Sequence, residues 1–277
     1  MRDIPIETRH LFQPLHRNLI KLLKSLNEDD WTQQTVAKKW NVKDVASHIL
    51  DTQLRVLSIQ RDGYFGDRPP EIDGYGDLVE WLNLLNSDWV TATKRISPKV
   101  LILLMESIGG LVAEYYNALD PWKEALFPVI WAGESKSFNW MHTAREYTEY
   151  WHHQQQIREA VGKPGIMSRK YFYPFINTFF QGLPHTFKEV TAKEGTVIKT
   201  TINSKAGGTW YLVRSNDTWI LDSNSIHIPS ASVTIPIELS WALFSKSLRP
   251  QEVLHRVEIV GDKYLGEQVL EMVSVMA

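Results

Sequence analysis

The 277-residue sequence contains no cysteine. That absence excludes disulfides, thiolate zinc sites, iron–sulfur clusters, a cysteine nucleophile and a redox-active CxxC pair. Any sulfur chemistry performed here must use sulfur that arrives from solution. An excess of one charge is also missing. Thirty Lys and Arg against 32 Asp and Glu leave a net −2, so no electrostatic footprint for nucleic acid as a polyanion is present. No uninterrupted run of 18 apolar residues occurs, the longest apolar stretch being Val100–Met105, and no membrane span is expected. The opening MRDIPIETRHLFQPLHR lacks the apolar segment of a secretory signal, so a cytoplasmic location is the expectation. What is present is ample apolar material: a 43% hydrophobic fraction is typical of a globular chain with a sizeable core, and the length suits one large domain or two ordinary ones.

The two halves differ in texture. The first reads as helices. Leu11, Leu15, Leu19, Leu22, Leu23 and Leu26 form a 3.6-residue stripe within Glu7–Leu26. Asn41, followed three residues later by Asp44, predicts a capping-box start to a helix running to about Asp62. Gly63–Gly76 reads as a loop, and Asp77–Ile96 as a third helix. Ser97-Pro98 marks a stop and restart, with a helical segment Val100–Ala118 interrupted at Gly109-Gly110. A strong helix spans Phe138–Val161 and ends at Gly162-Lys163-Pro164. Long helices with mixed loops predict a helical bundle.

After Ser168 one more helix, Arg169–Gln181, precedes β-branched and aromatic segments at Thr196–Asn203, Thr209–Ser215, Thr218–Asp222 and Ser232–Ile237. A helix over Glu238–Ser247, a fifth strand over His255–Val260 and a terminal helix over Gly266–Met276 complete the pattern. The expectation is an α+β chain: a four-helix bundle over residues 1–165, then a smaller α+β domain with a mostly antiparallel sheet over 166–277.

Of the nine histidines, His10, His16, His185, His227 and His255 stand apart and read as ordinary surface or core residues. Glu149 and His153 differ, because residues four apart share a helix face and can grip one ion. His152 points about 100° away, and His142 lies about 16 Å back along the axis, too far to share a metal. A third ligand must come from another helix, and His48, flanked by Val45, Ile49 and Leu50, is the best placed. Two histidines and a carboxylate leave an open position, as in catalytic zinc or non-heme iron sites. Spacing alone is equally satisfied by a solvated Glu/His face. Arg55 lies near the His48 face and either reaches a pocket or pairs with an acid. Gln156 shares the His153 face and suits a supporting role. The many aromatics read mainly as core.

The segments Trp40 to His48 (WNVKDVASH), Glu149 to Arg158 (EYWHHQQQIR) and the following AVGKPG resemble the mycothiol-dependent maleylpyruvate isomerase family, whose N-terminal half is a DinB/YfiT-like metal-binding bundle. LVEWLNLLNSDWVTATKRISPKVL is similar to its middle helices. GTWYLVRSNDTWIL, SVTI and VEIVGDKYLGEQVL resemble its sterol-carrier-protein-2-like C-terminal domain, and the two halves together cover nearly the whole chain. The resemblance implies His48, Glu149 and His153 as ligands of a divalent metal, zinc foremost, with nickel or iron as alternatives. It implies a low-molecular-weight thiol cofactor, mycothiol or another such as bacillithiol, and an unsaturated organic acid as substrate. A basic residue of the C-terminal domain is expected to meet the substrate carboxylate, with Arg249 the first choice and Arg256 the reserve.

Three functions remain open at this level: a metal- and thiol-dependent isomerase or S-transferase, a hydrolase using metal-bound water on the same ligands, and a non-catalytic metal- or lipid-binding module.

Overall fold

The structure, a computed structural model, describes residues 2–66, 70–71, 75–222 and 228–272. Parts of the expected Gly63–Gly76 loop, His227, and the end of the expected terminal helix lie outside the described residues.

The leucine stripe folds as a 3₁₀ turn, Arg9–Leu11, running into α1, Phe12–Lys24, with Leu15, Leu19, Leu22 and Leu23 buried. Asn41 caps α2, Val42–Arg55, and the box with Asp44 closes in both directions, at 2.9 and 3.2 Å. The expected helix to Asp62 is α-helical only to Arg55. Its last part, Val56–Arg61, is π-helical, the wider turn that often marks functional sites. Helix α3 spans Tyr75–Thr93. Ser97 accepts from Val100 N at the start of α4, Pro98–Ala118.

The interruption expected at Gly109-Gly110 is corrected: α4 runs through both glycines. Gly109 is there for close packing, since a Cβ on it would sit 2.1 Å from the His16 ring. Averaged over 18 residues, the hydropathy of α4 reaches 1.2, which by length and composition is enough to cross a bilayer. Its inner face, with Leu101, Met105, Val112, Ala113 and Tyr116 buried, packs on α1 and α2. Helix α5, Asn139–Ala160, is buried on nearly every side and ends at Gly162, whose φ of 63° is the left-handed conformation that glycine favours. Helices α1, α2, α4 and α5 form the bundle, and α3 lies along α2.

Helix α6, Arg169–Phe180, joins the halves. Trp151 of α5 stacks on Phe175 at 4.0 Å, and Phe180 stacks on Trp210 of the sheet at 4.0 Å. A short α7, Leu183–Thr186, leads to strands β1 (Val197–Asn203), β2 (Thr209–Ser215) and β3 (Thr218–Asp222). Asn216 and Asp217 turn the β2–β3 hairpin with φ of 50° and 58°, as a two-residue hairpin loop requires. Strand β4 (Ala231–Pro236), α8 (Ile237–Phe244), α9 (Pro250–Val253), β5 (Glu258–Gly261) and α10 (Lys263–Leu270) follow.

The sheet order is β3-β2-β1-β4-β5, with only β1 and β4 parallel. Ile198, Thr200 and Ile202 face inward opposite Ala231, Val233 and Ile235, the period-2 burial of a strand. Two expectations shift. The fifth strand begins at Glu258, because 254–256 form a 3₁₀ turn. The last helix starts at Lys263, where Asp262 caps it, and ends at Leu270.

Candidate active site

Helices α2 and α5 wall a cavity of about 1980 Å³, with α3, the 127–131 loop and the 245–252 segment completing its lining. His48 is buried on α2, held two turns beyond the Asn41 cap, and His153 is buried on α5. Their rings meet edge-on at 4.6 Å, and the Trp40 ring lies 4.9 Å from His48 and 6.4 Å from His153. Burial first, then the neighbouring His153, Arg55 and His152, hold the His48 imidazole well below its usual pKa, so it is neutral near pH 7.

The hydrogen bonds fix the tautomer of His153. Its Nδ1 lies 2.9 Å from Gln156 Oε1, which can only accept. Nδ1 therefore donates to Gln156, and Nε2 faces Glu149 Oε2 at 3.4 Å. The Gln156 amide nitrogen donates to His152 Nε2 at 3.1 Å, so one side chain orients both histidines. His48 Nδ1 and His152 Nδ1 are buried without a hydrogen-bond partner.

Farther along the same helices sits a cluster of charges that sequence reasoning missed, Arg55 apart. Arg55 pairs with Asp51 at 3.0 Å and donates to Asn86 at 3.0 Å. Arg145 pairs with Glu146 at 2.7 Å and donates to His142 Nδ1 at 2.8 Å, which leaves the His142 Nε2 proton for Gln60 Oε1 at 2.8 Å. Tyr116 donates to Glu146 at 2.9 Å. Burial opposes ionisation of Glu146, yet Arg145, His142, Tyr116 and Arg55 together hold its carboxyl below the usual range. Burial raises Asp51 despite Arg55. The signal was available in the i,i+4 pair Asp51/Arg55 and in the adjacent Arg145 and Glu146, charged residues on helices otherwise buried.

His16, read from sequence as ordinary, is a satisfied core histidine. Tyr150 donates to its Nδ1 at 2.6 Å, and Gln53 donates to Tyr150 at 3.1 Å. Arg249 is exposed and lines the cavity, whereas Arg256 pairs with Glu238 at 3.0 Å on the surface, away from the lining. Among the described residues, no group of three His, Asp or Glu side chains stands close enough together to hold a metal ion: His48 and Glu149 each meet His153, but the three do not close on one point.

A helical bundle and a five-stranded sheet domain that share one cavity define an α+β protein of two joined parts. Residues 12–158 match the family described as the mycothiol maleylpyruvate isomerase N-terminal domain. This is just over half of the 277 residues, and the chain belongs to that family. Among solved structures, a histidine-to-alanine mutant of the mycothiol-dependent maleylpyruvate isomerase aligns with a TM-score of 0.53 at 10% identity, over 89% of this chain and 91% of that one. That likeness establishes the fold. A second structure of the mycothiol-dependent maleylpyruvate isomerase aligns over the same shares with a TM-score of 0.49 at 10% identity. Comparison with curated protein sequences gives no match.

Proposed function

We propose that the chain is a thiol-dependent isomerase or S-transferase whose cavity joins a diffusible thiol, mycothiol in the first instance, to an unsaturated acid beside a divalent metal held by His48, Glu149 and His153. One observation carries the metal. His153 Nε2 and the Glu149 carboxylate face each other at 3.4 Å, with His153 Nδ1 already engaged by Gln156. Both are donor atoms that a divalent cation takes. The distance also equals the separation of two ligands of tetrahedral zinc, about 3.3–3.4 Å for bonds of 2.0–2.1 Å. His48, whose Nδ1 has no hydrogen bond to give up, would be the third ligand. Gln156 keeps His153 in the ligating tautomer, as outer-shell partners do.

A bound divalent metal supplies the charge that keeps a coordinating thiol deprotonated at neutral pH. The residues do the rest. Trp40 covers the two imidazoles and limits water at the site. Arg249, without an ion-pair partner among the described residues, receives the carboxylate of the substrate at the cavity mouth. The thiolate adds to the conjugated double bond, which becomes a single bond; rotation and expulsion of the thiolate return the trans isomer. The absence of cysteine fits a protein whose sulfur comes from a cofactor.

Turnover of a conjugated cis-enone acid, with and without mycothiol, tests this reading. Thiol-dependent isomerisation or adduct formation, lost in His48→Ala, is the expected result. Turnover of hydrolysable substrates that ignores thiol would overturn it.

A further inference from the structure

The cavity is larger than the proposed reaction centre needs, and its far part is built differently. About 1980 Å³ is roughly twice the upper end of pockets for one small ligand, about 300–1,000 Å³. Arg55 lies seven residues after His48 and Glu146 seven before His153, about 10 Å along each helix. The charge of Arg55 acts on Glu146, so α2 and α5 run in opposite directions and the cavity extends along both.

The charges in this middle stretch are already matched one to one: Arg55 with Asp51, Arg145 with Glu146. Each arginine already shares its charge with one carboxylate, so this stretch carries no surplus of positive charge. The lining cations that have no ion pair among the described residues, including Lys38, Lys39, Lys246 and Arg249, are exposed. They stand at the His48 end. Lys38 and Lys39 precede Trp40, whose ring lies on His48. Lys246 and Arg249 follow α8, whose Trp241 lies 5.9 Å from His152.

Beyond the matched charges the lining becomes apolar. Helix α3 is pinned to α2 through its C-terminal part: Trp89 donates to Ser47 O at 2.9 Å, Thr93 bonds Ser47, and Asn86 accepts from Arg55. Its earlier turns are left over the cavity, where Trp81, Leu82 and Leu85 remain half-buried, with Ile59 and Phe127 on the same lining. An apolar occupant that covers these side chains gains by removing them from water.

We propose that the electrophile taken by this cavity is a long unsaturated monoacid, its single carboxylate at the Arg249 mouth and an aryl or alkyl tail lying against α3, rather than a short dicarboxylate. This deepens the reading above and rests on the reacting carbon lying at the His48/His153 end. Between mouth and tail, the double bond meets the thiol, and the tail passes the Arg55/Glu146 stretch, where each arginine already has a carboxylate and a second substrate carboxylate would add uncompensated negative charge.

Calorimetric binding of 5-phenylpentanoate and hexanedioate to the full chain tests the proposal, because the two acids share one carboxylate on a four-methylene chain and differ in a phenyl group against a second carboxylate. Neither reacts and neither needs thiol. At least tenfold tighter binding of the phenyl acid is expected, with that preference cut fivefold or more by Trp81→Ala, or by Leu82→Gln should the first variant fail to fold. Arg249→Gln weakens both acids. Equal or tighter binding of hexanedioate, or a phenyl preference indifferent to both α3 variants, would overturn the proposal. Preference for the phenyl acid in a chain that shows no thiol-dependent turnover would count against the proposed reaction and leave this inference standing. Thiol-dependent turnover in a chain without the preference would overturn this inference alone.

Discussion

At the scale of the residue, much of the site is decided by which nitrogen carries a proton. Gln156 Oε1 can only accept, so His153 Nδ1 donates to it, and that single hydrogen bond turns Nε2 toward Glu149. Gln156→Leu should lower metal affinity ten- to a hundredfold, the usual effect of losing an outer-shell partner, with the fold retained by circular dichroism; unchanged affinity would remove Gln156 from the account.

Buried neutral histidines carry a second consequence. Burial, above all, pushes His16 and His142 down to about 4, while both titrate near 6.5 in an unfolded chain. Between these values the unfolded chain binds protons that the folded chain refuses. Stability is therefore full above about pH 6.5 and falls as pH drops toward 4, by on the order of 1 kcal/mol per pH unit for each histidine. Urea unfolding from pH 7.5 to 4.5 should show this slope, and His142→Gln should flatten it.

Packing at Gly109 belongs to the same scale. With a Cβ placed 2.1 Å from the His16 ring, Gly109→Ala should cost about 1–3 kcal/mol as an overpacked core does, read from the urea midpoint. A neutral result would mean that His16 can yield.

At the scale of the element, local chemistry decides where helices begin, and that was legible in the sequence. Asn41 and Asp44 cap α2 through contacts three residues apart, which needs no knowledge of the rest of the fold. Asn41→Ala should cost about 1 kcal/mol, and because α2 carries His48 two turns on, metal affinity should fall with it; stability unchanged within error would contradict the capping role. Glu149 and His153 were legible for a similar reason, since helical periodicity fixes their common face.

What local signals did not carry was set by partners. The fifth strand slid to Glu258–Gly261 because pairing with β4, Ala231 against Gly261, defines it. The glycines of α4 looked like an interruption because the space taken by His16 comes from α1. The Asp51, Arg55, Arg145 and Glu146 cluster exists only once α2 and α5 lie side by side. At the π-helical end of α2, Gln60 meets Tyr115 and His142 from other helices.

At the scale of the whole molecule, the bundle and the sheet domain act together on one cavity. Two stacks on α6, Trp151 on Phe175 and Phe180 on Trp210, fix the C-terminal part against the bundle, which carries the 245–249 segment to the lining. Sequence left Arg249 and Arg256 as alternatives; the first lines the cavity, and the second pairs with Glu238 at the surface. Arg249→Gln should raise KM for an acid substrate about tenfold or more with little change in kcat, the pattern of lost uniform binding. Arg256→Gln should leave both unchanged, and the reverse pattern would reassign the role.

The central claim is that His48, Glu149 and His153 hold one divalent metal ion. Calorimetric titration of zinc into chelator-stripped full-length protein tests it most directly, with Glu149→Gln and His48→Ala run in parallel. One equivalent bound by the wild-type chain, and none at the same concentration in either variant, is the predicted result. No stoichiometric binding, or binding indifferent to both substitutions, would contradict it.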